Sequence, residues 1–351
     1  MLDKTTSFFK IKNNFAKTEN IVSVPIVQST LAFDVKVTIA IPTYKRAKLL
    51  KESLESAINQ IDYEEYDIII VDNNPERGCE TEKLMMLYNN PRISYYKNKD
   101  NIGMFGNWNR CIELSKGEYI TILNDDDLLH HNYLKNVVNK LFLNQAHGIF
   151  VCYSSFRDNN NPVDKDYSSI SLSNNTFIDY LYSNNNAGSL GALVKRSDLM
   201  ELGGFNEIFF PTSDYVLWAN YLNKYGWVYK INEELAYYRL SVNESLNENL
   251  HPSFVNNDVL LLDQMIQEMK YLYKFIAKMA RPVLVYGKYL GMAKFSNEFK
   301  SNNIEKINTL KSKVNFKSKV FYFTLGVINR VYKIKLNTHL NFFRKNLKNK
   351  K

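Results

Sequence analysis

Between Val35 and Leu143 the chain alternates short, β-branched apolar runs with stretches of helical period, and that alternation leaves few folds open. Val35–Tyr44 (VKVTIAIPTY) reads as a strand entering a turn at Pro42-Thr43. Ala47–Gln60 carries Leu50, Leu54, Ala57 and Ile58 at helical spacing, with Ile61 just beyond. Asp67–Asp72 (DIIIVD) is wholly apolar between its aspartates, the pattern of a strand buried on both faces. A helix at Leu84–Tyr88, a strand at Arg92–Tyr96, a helix at Trp108–Leu114 and a strand at Glu118–Leu123 (EYITIL) follow. Then come Asn124-Asp125-Asp126-Asp127 and a helical pattern to Leu143. Such β-α units with short connections build an α/β fold, a mostly parallel, doubly wound sheet flanked by helices. Ligands of these sheets bind outside the carboxyl ends of the strands. Pro42-Thr43-Tyr44, Asp72-Asn73-Asn74 and Asn124 to Asp127 all fall at strand ends, so they should converge on one crevice.

The pattern divides the chain into three regions. Residues 1–34 are a polar lead-in with one apolar patch, Ile21–Val27. Residues 35–248 form the α/β domain, and 249–351 a helical, basic extension. Within the domain, the Asn/Ser/Asp-rich stretch Phe156–Asn175 reads as a long loop that lids or binds. Gly188–Val194 reads as a strand, and Gly203-Gly204-Phe205-Asn206-Glu207 as a turn. Thr212-Ser213-Asp214 precedes an amphipathic helix, Tyr215–Tyr225, and Trp227–Ile231 and Leu235–Tyr238 read as two closing strands.

The 351 residues carry a net charge of +9, but unevenly. Ser301–Lys351 holds thirteen Lys/Arg against Glu305 alone, which leaves the other 300 residues slightly acidic. A near-neutral body argues against a protein built around nucleic acid, whose basic residues line the functional domain. A basic tail instead meets an anionic surface. Lys311–Lys351 interleaves its bases with Phe316, Phe321, Tyr322, Phe323, Leu325, Val331, Tyr332, Phe342 and Phe343. That mixture suits a helix lying on anionic lipid, or a basic helix packed on the domain. No run approaches the roughly 18 apolar residues of a spanning helix, and the first twenty residues lack the apolar core of a signal peptide. Cys79, Cys111 and Cys152 sit in no disulfide or zinc spacing, so a reducing, cytoplasmic setting is expected; with the tail on anionic lipid, the protein would be peripheral on the inner face of the cell membrane.

Three successive aspartates after a buried strand repel one another unless a cation or backbone donors compensate. They are either a solvated loop capping the next helix or carboxylates for Mg²⁺ or Mn²⁺, hard ions that keep phosphate and water among their ligands. Asp72 is ordinary turn chemistry or an acceptor for a base or ribose. Asn101-Ile102-Gly103 reads as a loop. Asp214 is a first-turn acid or a general base. The five histidines are structural or surface, and neither a Ser-His-Asp arrangement nor a GxxxxGK loop occurs.

In order, IAIPTYKRAKLLKESLESAINQ, IIIVDNNP, NKDNIGMFGNWNRCIELSKGEYITILNDDDLL, GGFNE and TSDYVLWANY resemble family-2 glycosyltransferases of the GT-A fold, over Val35 to Leu246. The resemblance implies inverting transfer from a nucleotide-diphosphate sugar, most often a UDP-sugar, with Mn²⁺ or Mg²⁺. Pro42, Thr43, Tyr44 and Arg46 match the first nucleotide loop, Asp72 the aspartate that contacts the base, and Asn101 with Gly103 the base-side loop. The family's Asp-x-Asp appears as Asn124-Asp125-Asp126, which puts Asp126 at the metal, with Asp125 in contention. Asp214 matches the catalytic base, with Ser213 where Glu often stands. Tyr238-Arg239-Leu240-Ser241 lacks the histidine frequent there, and Arg239 would neutralise diphosphate charge. The acceptor implied is a saccharide hydroxyl, polyprenyl-diphosphate-linked, in surface-polysaccharide assembly. Two rivals are a sugar nucleotidyltransferase, which wants a Gly-rich first loop where Pro42–Lys48 has no glycine, and a non-catalytic sugar- or lipid-binding scaffold.

Overall fold

The structure, a computed structural model, describes residue 2 and residues 6–348, apart from 145, 159–161, 163–164, 168, 185 and 242–243. In chain order its elements are β1 (Ser23–Val27), β2 (Val37–Thr43), α1 (Ala47–Ile58), β3 (Tyr66–Asp72), α2 (Glu80–Met85), β4 (Ile93–Asn98), α3 (Met104–Leu114), β5 (Tyr119–Ile122), β6 (Leu128–Leu129) and α4 (Tyr133–Asn144). They continue with β7 (Gly148–Phe156), β8 (Leu172–Thr176), α5 (Asp179–Tyr182), β9 (Leu193–Lys195), α6 (Arg196–Glu201), α7 (Ser213–Tyr225) and β10 (Trp227–Arg239). Five helices close the chain: α8 (His251–Glu268), α9 (Tyr271–Phe295), α10 (Asn297–Asn302), α11 (Ile304–Ser312) and α12 (Phe316–Lys348).

One sheet runs β1-β4-β3-β2-β5-β9-β7-β10-β6, with β8 beside β10. The β4-β3-β2-β5 block is parallel, as the alternation predicts. Every residue of β2 and β3 is buried, because the pleat sends neighbours to opposite faces and both faces are covered. Ile39, Ile41, Ile68 and Ile70 pack with Leu50 and Leu54 of α1 and Val137 of α4. Ala40, Ile69 and Val71 pack with Trp108 of α3, Trp218 of α7 and, beyond them, Leu261 of α8 and Ala277 of α9. Burial of this kind contributes about 1.5–3 kcal/mol per large apolar side chain. The register pairs Thr43 with Asp72 and Ala40 with Ile122, so the ends of β2, β3 and β5 lie side by side.

Several elements depart from their expected bounds. The expected strand at Gly188–Val194 is only Leu193–Lys195, because Gly188, Ser189 and Gly191 have φ of 60°, 64° and 71°, a left-handed backbone no strand accommodates. The two expected closing strands are one, β10, whose pairing with β7 shifts register between Ile231 and Ala236, a bulge that the polar Asn232–Glu234 concealed. The helix expected at Leu84–Tyr88 begins earlier, at Glu80. The expected loop Phe156–Asn175 ends in β8, antiparallel to β10; residues 159–161, 163–164 and 168 of it lie outside the described residues.

The lead-in is built into the domain. Its β1 is the antiparallel neighbour of β4, Phe8 stacks on Phe209 at 4.8 Å, and Arg110 donates to the carbonyls of Thr18 and Ile21. The tail also packs on the domain. On α12, Leu325 is fully buried, Asn329 donates to Asp179 at 2.8 Å and Lys333 to the same carboxylate at 2.8 Å. Among the described residues no helix is long and apolar enough to cross a membrane.

Candidate active site

Where β2, β3 and β5 end, a crevice of about 520 Å³ opens. Its sheet side is lined by Pro42, Thr43, Tyr44, Arg46, Asn73, Asn124, Asp125 and Asp126, and by Asn101, Gly103 and Trp108 at the start of α3. Asp214 and Tyr215 of α7 and Tyr238 at the end of β10 line it as well, and Phe210, Ser245, Phe254 and Asp258, none of them on the sheet, form the facing wall.

The acidic run separates by role. Thr43 Oγ1 donates to Asp125 Oδ2 at 2.7 Å, and Arg46 Nη1 reaches Asp126 Oδ2 at 3.1 Å and Asp125 Oδ1 at 3.5 Å. Asp127 turns away from the crevice and is held by Asn124 Nδ2 at 2.9 Å and the Arg239 N–H at 3.0 Å. Burial and the charge of Asp126 push Asp125 up to about 6. Burial likewise raises Asp126 against the pull of Arg46, and raises Asp127 well above the carboxylate range. Asp127 therefore anchors the loop, while Asp125 and Asp126 face the crevice with Arg46 as the cation beside them. The two crowded carboxylates offer the oxygen donors that a hard divalent ion takes, and Arg46 is the cation that holds them together here. Among the described residues no group of three or more His, Cys, Asp or Glu could hold a metal. Asp126 with Asp125 would thus complete the ion's shell with phosphate oxygens and water, as Mg²⁺ commonly does.

Asp214 stands in the first turn of α7 and is 8% exposed. Its Oδ2 accepts from Asn184 Nδ2 at 2.8 Å and from the Gly188 N–H at 2.9 Å. The left-handed backbone at Gly188 aims that N–H, and Asn124 Nδ2 approaches the Gly188 carbonyl at 3.4 Å, so one loop joins the acidic run to Asp214. Burial raises the Asp214 pKa, opposed by the Gly188 and Asn184 hydrogen bonds. A buried, hydrogen-bonded carboxylate whose pKa is raised above the ordinary range is a better proton acceptor than an exposed one.

Two expected site residues lie behind the crevice instead of in it. Asp72 is fully buried and accepts from Lys97 Nζ at 2.8 Å, Tyr95 OH at 2.8 Å and the Asn74 N–H at 2.9 Å. Its neighbour Asn73 lines the crevice and donates to Asn101 Oδ1 at 2.7 Å and the Gly103 carbonyl at 3.2 Å. Adjacent residues of a strand point to opposite sides, and here the amide took the open side. Arg239 is 2% exposed and donates to the Asp126 carbonyl at 2.7 Å, to Glu52 at 2.6 Å and to Asp158. Its charge is matched by those two carboxylates, so it braces the acidic loop from behind; Tyr238 faces the crevice in its place. None of the histidines among the described residues lines the crevice.

The glycosyl transferase family 2 model matches residues 38–203. Over 200 residues the chain is 28% identical to the GalNAc(5)-diNAcBac-PP-undecaprenol beta-1,3-glucosyltransferase of Campylobacter jejuni, covering 56% of this chain and 62% of that one. Over another 200-residue match it is 31% identical to an uncharacterized glycosyltransferase of Rickettsia felis, covering 53% of this chain and 31% of that one. The chain thus spans less than two thirds of either relative. The crystal structure of residues 1–349 of S. aureus TarS superposes with a TM-score of 0.55 at 14% identity, covering 83% of this chain and 79% of that fragment, a likeness of fold. The matched segment contains β2, β3, β5 and the loops of the sheet side; over it the chain is similar to glycosyl transferase family 2, and its fold is of the GT-A type.

Proposed function

We propose that the protein is an inverting glycosyltransferase that moves a sugar from a nucleotide-diphosphate donor, a UDP-sugar, to a hydroxyl of a polyprenyl-diphosphate-linked saccharide. The observation that carries this reading is the placement of Asp125 and Asp126 at one side of a strand-end crevice that also holds buried, hydrogen-bonded Asp214. Asp214 takes the proton of the acceptor hydroxyl. That oxygen bonds to the anomeric carbon as the bond to the diphosphate breaks, through an oxocarbenium-like state, and the leaving oxygen keeps the electron pair. A single displacement inverts the centre. Arg46 supplies fixed positive charge beside the acidic pair. Asp126, with Asp125, would hold Mn²⁺ or Mg²⁺, which when bound acts as a Lewis acid on the leaving group. Asn73, Asn101 and Gly103 form the polar side of the base pocket. Two likenesses support the substrate class: the Campylobacter relative is named for an undecaprenol-linked substrate, and the TarS crystals contain UDP-GlcNAc.

The tail supports a membrane-facing acceptor, at the inner face of the cell membrane. On α12 the face opposite Leu325 carries Phe316, Val320, Phe323, Val327, Val331 and Ile334, spaced as one helical stripe and exposed, Phe316 by 82% and Phe323 by 71%. Lys317, Lys319, Arg330 and Lys335 flank it. Tyr271 and Leu272, which open α9, are exposed as well, and the Phe275 ring meets Phe321 edge-on at 5.7 Å. An apolar stripe between bases is what an anionic lipid surface attracts.

Calorimetric titration and thermal shift with UDP-, GDP-, dTDP- and CMP-compounds, with and without Mn²⁺, test the donor reading. We expect metal-dependent stabilisation by the UDP compounds. Stabilisation by none of the four families would overturn it.

A further inference from the structure

The crevice wall that faces the sheet comes from outside residues 38–203, and it holds one charged side chain that donor binding does not use. Asp258 lies on α8 one turn after Phe254, and both line the crevice. Its carboxylate is 3.8 Å from Nζ of Lys288 on α9; the lysine side chain is 3% exposed and that of Asp258 26%. Lys288 also donates to Tyr215 OH at 3.1 Å and sits 5.0 Å from the centre of that ring. Tyr215 OH in turn donates to the Tyr180 carbonyl, and Tyr215 directly follows Asp214.

A buried ion pair is seldom the most stabilising use of its volume, since apolar side chains of similar size do as well or better. Stability therefore gives little reason for Lys288 and Asp258 to stand there. Their geometry gives another. Lys288 is enclosed and committed to Asp258 and Tyr215, whereas Asp258 keeps an open side on the crevice. Burial pushes the Asp258 carboxyl up, against the pull of Lys288, to about 6, so at neutral pH it is ionised and only accepts hydrogen bonds. A carboxylate there repels a diphosphate and accepts from neutral hydroxyls. Phe254, Phe210 and Tyr238 supply apolar and aromatic surface around it, the mixture of a small-molecule subsite.

Building on the transferase reading, we propose that Asp258, positioned by Lys288, is an acceptor-recognition residue. Its carboxylate accepts a hydrogen bond from a second hydroxyl of the acceptor saccharide while Asp214 takes the proton from the first. The paired helices α8 and α9 thereby supply the acceptor subsite. Two carboxylates at that end also select neutral saccharides over uronic-acid acceptors by like-charge repulsion.

The test uses the full chain, the nucleotide sugar found to bind it, and the butanol-extracted lipid fraction of the source cells as acceptor. In Asp258→Asn we expect donor affinity within twofold of wild type and an apparent acceptor KM raised by at least about tenfold. Because that change leaves Lys288 without its partner, the double variant Asp258→Asn, Lys288→Met is measured beside it and should show the same split. An unchanged acceptor KM in either folded variant, or donor affinity lost in parallel, would overturn the role of Asp258. Failure of the wild-type protein to bind any nucleotide sugar would instead remove the transferase reading on which the role rests.

Discussion

The two walls of the crevice follow different rules. The sheet wall takes its side chains from strand ends, so backbone topology fixes where Thr43, Asn73, Asp125 and Asp126 sit before any side chain is chosen. On the helical wall, Phe254 and Asp258 depend on how α8 packs against α7 and α9, a tertiary matter with no backbone template. The sheet wall lies within the family-2 segment and the helical wall outside it. On the proposed reading the walls divide the labour: donor chemistry travels with the fold, and acceptor choice with what is packed onto it.

The strongest way to break that division is to remove the group that serves both walls. Asp214→Asn should lower kcat by roughly 10²–10⁴-fold with donor affinity unchanged, measured by initial rates beside calorimetry. Asp126→Asn should act on the sheet side alone, abolishing the metal-dependent part of donor binding and slowing turnover by about 10²-fold, with acceptor KM unmoved; titration with and without Mn²⁺ reads this. Leu325→Ala should cost about 2–5 kcal/mol in urea unfolding, since Leu325 is fully buried where α12 packs on α9, whereas Phe323→Ser on its outer face should stay within about 0.5 kcal/mol and reduce co-sedimentation with phosphatidylglycerol-containing vesicles. The smallest effect should come from Asn184→Ala. As the proposed base, Asp214 must be ionised to act; burial already places its pKa above the ordinary carboxylate value, while the Asn184 hydrogen bond draws it down. Losing that donor raises the pKa further, so the acid limb of kcat/KM should move to higher pH with the plateau kept.

The difference between the walls also decides what could be read from the sequence. The parallel block was legible because β2, β3 and β5 are short apolar runs whose polar ends stand out; Asp214, which its position alone left as a first-turn acid, was singled out by the family resemblance and lies in the crevice. The sequence pointed to Asp72 and passed over Asn73, since the buried Lys97 and Tyr95 that hold Asp72 inward come from another strand. Nothing in Asn184 or Gly188 announced a link to Asp214; Leu190, Ala192 and Leu193 read as a strand, and the left-handed turn that forbids it is a backbone property. Asp258 looked like any polar residue of an amphipathic helix. In α12 two apolar stripes overlap, one through Leu325 facing the domain and one through Phe323 facing outward, so no single period marked which face was which.

On the proposed reading a donor binds at the sheet wall independently of Asp214. The most direct measurement is calorimetric titration of nucleotide sugars, with and without Mn²⁺, into wild-type protein and Asp214→Asn side by side. Equal, metal-dependent affinity of both proteins for a UDP-sugar is the result expected. Binding of no nucleotide sugar by the wild-type protein, or binding lost when Asp214 is changed, would contradict the account.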